Sequence, residues 1–502
     1  MDFDRRLPRR HSNKLVWLAL LLTCAVAYPQ EPQHGAHSDL AFTSSDSRLV
    51  DAFQWAKQEA LSYVSDNDPV GPWYEAALPG RQAFCMRDTA HQADGAQALG
   101  LARYNHNMLR RFAENISASR DWCSYWEIDR LNRPASVDYK SDAEFWYNLP
   151  ANFDVLDASY RMFLWTGDRS YIDDPVFLNF YDRTMHEYTT HWNLSPDRVM
   201  KRTSDIQTPP FFRGDPTYEE SSTDNVVGID LLATQYAANR DYAVIQAVRG
   251  NGAAAESALK TAMQIKSLIN NEWWNSAQGY FYAFLNKDHQ LTGRAGADVL
   301  YRDAADDGPK TASALQTLLT TASSERVTAV EAKSHYAEIL YRYGDPNAAY
   351  AQIMDLTHAG RERREYPEVS YSVIGAMVTG LMGIRVEPTL PVAEIVSGKH
   401  FETVIQTLPQ LTAATGWAEI RNLPVQGYVI NVRHNGNGST TLTNKGNSPL
   451  EWRAAFPGSH EGLVSDGKPL KAHIDLHHFG NAITWAELTV PAGSSVEVEV
   501  SK

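Results

Sequence analysis

Cysteine is scarce. The 502-residue chain has three, and none belongs to a CxxC pair or a Cys/His cluster at zinc spacing. A disulfide-built scaffold and a zinc ribbon are therefore excluded. Positive charge is short too: 46 Lys and Arg face 60 Asp and Glu, for a net charge of −14. That argues against nucleic acid and strongly acidic polymers as default partners. Long apolar runs are nearly absent, and strict sequence repeats are absent altogether.

The one apolar run is LVWLALLLTCAVA, Leu15–Ala27. Arg5, Arg6, Arg9, Arg10 and Lys14 precede it, and Ala25-Val26-Ala27 has the small-x-small form of a signal-peptidase site. The run is short for a membrane span. We expect residues 1–27 to be a signal peptide, and the mature chain to be exported to the periplasm or beyond without stable membrane insertion. Cleavage leaves Cys85 and Cys123, either paired or as two buried thiols.

Hydrophobic residues make up 43% and charged residues 21%, ordinary for a globular protein. The pattern changes near residue 385. Before it, apolar stripes at helical spacing dominate, such as Val373, Met377 and Leu381. LWTGDRSYI (Leu164–Ile172) and LYRYGDPNAAY (Leu340–Tyr350) each end one helix at Gly-Asp and start another. This suggests helical hairpins arranged in a ring. NNEWWNSAQGYFYAF (Asn271–Phe284) ends a helix in a short aromatic strand. After residue 385, GYVINVRH, STTLTN and SSVEVEVS read as strands between Asn/Gly turns. RVEPTLPVAEIVSG reads as the linker. The expected fold is mainly α: an (α/α)6 toroid over residues 40–387, then an all-β sandwich over 388–502.

Three segments place carboxylates where an apolar or small-residue helix begins. In FCMRDTAHQ, Thr89 and Gln92 form a potential capping box, with Arg87 and Asp88 at the helix mouth. In YEESSTDN, Glu219 and Glu220 precede a helix expected to carry Val226 and Val227, capped by Thr223 or Asp224. In EYPEVSYS, Glu368 sits in the loop before a cap at Ser370. In a ring of hairpins the inner helices start from one rim, so these carboxylates can meet. Two carboxyl groups flanking a sugar bond are what glycoside hydrolysis needs, one protonated and one ionised. Adjacent carboxylates raise one another's pKa, a use for the Glu219/Glu220 pair. Aromatic loops carry Trp73, Trp126 and Trp146, suited to sugar faces. Each cluster reads equally as helix packing.

These motifs resemble the six-hairpin, (α/α)6-barrel glycosidases, most closely the glucoamylase-type inverting enzymes. MRDTAHQADGAQAL is similar to the segment whose Arg and Asp bind the terminal sugar. YEESSTDNVVGIDLL is similar to the Trp-Glu-Glu segment whose first Glu is the acid. YPEVSYSVIGAMVTGLMG stands where that group places its base. The β-rich C-terminus also resembles that of rhamnosidases and other bacterial six-hairpin enzymes. Here Met86 stands before Arg87, Tyr218 replaces the Trp and Val369 follows Glu368, so starch cleavage is not implied.

The resemblance implies Glu219 or Glu220 as acid, Glu368 as base, and Arg87 and Asp88 as sugar ligands. His91, Glu75, Trp73, Trp126, Glu127 and Trp146 are further binding candidates. Glu75, Glu127 and Asp154 compete for the catalytic roles. The reaction needs no metal or cofactor, and the partner is a carbohydrate. Two rivals remain. One is an α/α-toroid polysaccharide lyase using Tyr366, Tyr371 or His335; the other is a non-catalytic glycan-binding protein.

Overall fold

The structure, a computed structural model, describes residues 37–194, 213–219, 224–323, 330–477 and 481–501. The expected signal peptide and Glu220 lie outside them. Residues 35–502 form one compact unit. Among the described residues no helix is long and apolar enough to cross a membrane.

Six helices pack side by side in a closed succession. Met86–Ala98 lies against Ala151–Thr166, which lies against Ile229–Val248. That helix meets the short Ala297–Tyr301, which meets Tyr336–Arg342. Pro367–Gly375, continued by a π-helical stretch at Ala376–Leu381, returns to Met86–Ala98. Ala151–Thr166 is buried at 13 positions on every side, as befits a helix in the interior. Outer helices are one-sided instead. Gly252–Asn271 buries Ala255, Ala258, Ala262, Ile265 and Ile269 at helical spacing. Gly167 and Gly344 end helices at φ 69° and 76°, as their Gly-Asp pairs predict.

Met86–Ala98 is rich in small residues because it crosses Pro367–Gly375 closely. A Cβ on Gly95 would stand 2.0 Å from the Tyr371 carbonyl oxygen, and Gly375 faces the Gly95 nitrogen. Backbone cannot yield as a side chain does. Gly95→Ala should therefore lower stability by about 1–3 kcal/mol or more. Urea denaturation checks this; an unchanged midpoint would refute the close crossing.

Two sheets follow. The seven-stranded sheet contains Trp417–Val425, Tyr428–Asn435, Ser439–Asn444 and Ser495–Val500, the last three close to their sequence motifs. Its edge strand is Ala41–Ser44, from the start of the described chain, paired antiparallel to Trp417–Val425. The five-stranded sheet is antiparallel except where Thr403–Thr407 runs parallel to Leu450–Pro457. Inward residues such as Ile430, Val432, Leu442, Trp452 and Phe456 share one apolar core.

Four local expectations change. RVEPTLPVAEIVSG is not a free linker: Arg385–Pro388 is a strand and Val392–Val396 a helix. Its alternating apolar residues pair with Thr403–Thr407. The Thr89/Gln92 capping box does not form, since Thr89 Oγ1 and both Gln92 amide atoms lack partners among the described residues. Cys85 is the cap instead, its Sγ accepting from Asp88 N. Val226 and Val227 belong to the strand Asn225–Gly228, as β-branched pairs prefer. Pro367 starts the last inner helix, so Glu368 is in its first turn and Ser370 Oγ donates to Pro367 O.

The C-terminal ends of the inner helices meet the sheets. His434 bridges Met382 O and Thr440 Oγ1, and Gln426 donates to Leu164 O. The N-terminal ends are left to build a cavity.

Candidate active site

Each of the six inner helices carries a carboxylate in its first turn: Asp88, Asp154, Asp230, Asp298, Glu338 and Glu368. Helix N-termini favour negative charge there. Three of them, Asp230, Asp298 and Glu368, line a cavity of about 500 Å³. Arg87, His91, Tyr218, Glu219, Asp230, Asp298, Tyr301, Arg302, His335 and Glu368 are among its lining residues.

Glu368 is 1% exposed. Its Oε1 meets His91 Nδ1 at 3.1 Å and His335 Nε2 at 2.9 Å. Burial pushes this carboxyl up, but the hydrogen bonds from His335 and His91 outweigh it and hold it well below the usual range. Burial, with His335 next to it, pulls His91 down to about 3. The result is an ionised carboxylate beside neutral His91. Glu368 Oε2 is buried and has no hydrogen-bond partner among the described residues.

Asp88 lies behind this group. Burial first, and the Glu368 charge second, raise it to about 7. Arg87 Nε reaches Asp88 Oδ1 at 3.4 Å, and its guanidinium lies 5.0 Å from the Tyr218 ring and 5.8 Å from that of Trp126. The Tyr218 hydroxyl donates to Asp154, which also takes a bond from Arg302. Arg302 Nη1 donates to Asp157 at 2.6 Å. Tyr218 and Arg302 thus reach the cavity as parts of one buried ionic network.

A second group of carboxylates lines the same cavity. Asp230 accepts from Tyr218 N at 2.6 Å, Thr217 Oγ1 at 3.0 Å and Leu231 N at 2.9 Å. Burial, then the charge of Asp298, raises it to about 7. Asp298 is exposed by area, yet burial raises its pKa. Both hold: the carboxyl opens on the cavity while protein encloses the cavity itself. Glu219 is exposed and lines the cavity.

The remaining candidates sit elsewhere. Glu75 accepts from Gly80 N and Gln82 N and closes its own loop. Trp73 Nε1 donates to Asp68, and Trp146 Nε1 to Asn148. Glu127 pairs with Arg81 at 3.0 Å. Burial, then a hydrogen bond with Asp138, raises it to about 9. None of these four lines the cavity; Trp126 supports Arg87 from behind. Tyr371 donates to Ala60 O inside the core. Cys85 and Cys123 are buried and unpaired. Sequence reasoning missed Asp230, Asp298, Tyr301 and Arg302. The available signal was an acid one residue after a helix start.

No family model matches the chain, and no curated protein does. Solved structures share the fold. A GH78 family rhamnosidase of Bacillus sp. GL1 superposes with TM-score 0.56 at 12% identity over 82% of this chain and 41% of that one. An alpha-L-rhamnosidase from Dictyoglumus thermophilum gives 0.56 at 14%, over 93% and 50%. An alpha-L-rhamnosidase from Aspergillus terreus gives 0.50 at 12%, over 91% and 51%. The chain thus spans about half the length of these structures or less.

Proposed function

We propose that the chain is a glycoside hydrolase that removes terminal sugars by single displacement with inversion, on an (α/α)6 toroid buttressed by a β-sandwich. The closed succession of inner helices supports the toroid. One observation carries the chemistry: an ionised carboxylate, Glu368, and three further carboxyl groups, Asp230 and Asp298 on inner helices and Glu219 on a loop, line one cavity. Glu368 activates water, Glu219 protonates the leaving oxygen, and Arg87, positioned from behind by Asp88, holds the terminal sugar. Export by the N-terminal signal belongs to the same reading.

The described lining holds three arginines against five carboxylates. An anionic sugar would meet net repulsion there. This favours a neutral sugar and speaks against the lyase. Given the rhamnosidase fold neighbours, aryl α-L-rhamnosides are the first substrates to test.

Asp298 gives a second reading of the acid. It opens on the cavity and sits beside Asp230, whose own pKa is raised to about 7. A donor works only while protonated, so this reading has activity falling as pH rises through the raised pKa of Asp298. Asp230→Asn removes the neighbouring charge and moves that limb to lower pH. Turnover of aryl glycosides by Glu219→Gln and Asp298→Asn, with the product anomer read by NMR, tests both. Loss in Glu219→Gln alone supports the main assignment, and loss in Asp298→Asn alone the second. Retained configuration or unsaturated products would refute the mechanism.

A further inference from the structure

We propose that His91, His335 and Glu368 form a binding site for a divalent transition-metal ion, with Zn2+ the best match. The Nδ1 atom of His91, the Nε2 atom of His335 and a carboxylate oxygen of Glu368 all lie within 4.8 Å of one another. Zinc holds nitrogen and oxygen ligands at about 2.0–2.2 Å, which places neighbouring donors roughly 3–3.5 Å apart. Of the two observed nitrogen–oxygen separations, 3.1 Å sits at the short end of that range and 2.9 Å just below it. Two imidazoles and one carboxylate are also a recognised zinc set, one that leaves a position open. Here that position faces the cavity, which all three residues line.

The same distances suit two N–H donors on one carboxylate oxygen. The two states differ in protons: hydrogen bonding needs both nitrogens protonated at those atoms, and the ion needs both free. Two further observations favour a ligand. Glu368 Oε2 is buried without a partner among the described residues, an unspent lone-pair set that costs stability unless something takes it. The Tyr301 ring stands 5.6 Å from the His91 ring and 5.1 Å from that of His335, fixing how both imidazoles point. Among the described residues, Ser334 Oγ, at 3.3 Å from His335 Nε2, is the competing contact.

The bound ion engages the lone pairs of Glu368. If the hydrolase reading above holds, the metal-free chain is the active form and zinc inhibits it. Binding itself stands apart from that reading.

The test uses the full chain after chelator treatment and dialysis. Zinc is titrated by calorimetry, and cobalt by its visible absorption, without substrate. The expected result is one strong site per chain. His91→Ala and His335→Ala should each weaken it at least tenfold, while His358→Ala, on the surface, should not. Should a variant misfold, the cobalt spectrum of the wild type decides alone: intense d–d bands of a low-coordinate site support the proposal. A hexa-aqua-like spectrum with no stoichiometric binding overturns it, as does wild-type affinity in both histidine variants. A chain that binds zinc but turns over no glycoside fails the hydrolase reading and leaves this site standing.

Discussion

Glu368→Gln is expected to lower kcat by about 10³-fold on whichever aryl glycoside the wild type cleaves best, within the usual range for loss of a general base. The change keeps the shape and removes the charge. The amide oxygen can still accept from His91 and His335, which now meet Oε1 at 3.1 and 2.9 Å. The melting temperature should therefore stay close to that of the wild type while turnover collapses. Glu368→Ala adds a sharper check. It opens space for azide, a small nucleophile that needs no base, and activity should partly return as a glycosyl azide of inverted configuration. Turnover within tenfold of wild type in Glu368→Gln would remove the base from this position.

Much of this site was readable because it depends on local order. Arg87, Asp88 and Glu368 each lie in the first turn of a patterned helix, and the side-by-side packing of the inner helices brings such turns together. The strands Tyr428–Asn435 and Ser439–Asn444 showed themselves by alternation and Asn/Gly turns. Other parts have no local signature. Asp298 belongs to ADVLY, a five-residue helix too short for any period. The contacts of Glu368 reach 277 residues back to His91 and 33 back to His335, and no spacing rule joins them. The aromatic loops misdirected for a physical reason. Trp73 and Trp146 donate their indole N–H groups to near neighbours in sequence, so polar residues beside them satisfied the rings and marked no sugar site.

Arg302→Met is expected to cost about 3–5 kcal/mol of stability, the usual penalty for breaking a buried ion pair from one side. Arg302 is 6% exposed and divides its guanidinium between Asp154 and Asp157. Asp157 keeps Arg161, whose Nε stands 2.9 Å away. Asp154, fully buried, keeps only the Tyr218 hydroxyl among the described residues, so the uncompensated charge falls there. Burial already pushes Asp154 up, and Arg302 is the main opposing influence. Without it the folded-state pKa rises further above the unfolded value. A raised carboxyl stabilises the fold while protonated and loses that contribution as pH climbs. The penalty should thus be smaller at pH 5 than at pH 8, as urea midpoints would register. Adding Asp154→Asn removes the orphaned charge and should recover part of the loss, making the double variant more stable than Arg302→Met alone. Turnover should fall in the single variant as well, because Asp154 is what holds Tyr218 beneath the Arg87 guanidinium. A cost below about 1 kcal/mol, flat with pH, would place Arg302 among the weak surface pairs and detach this network from the cavity.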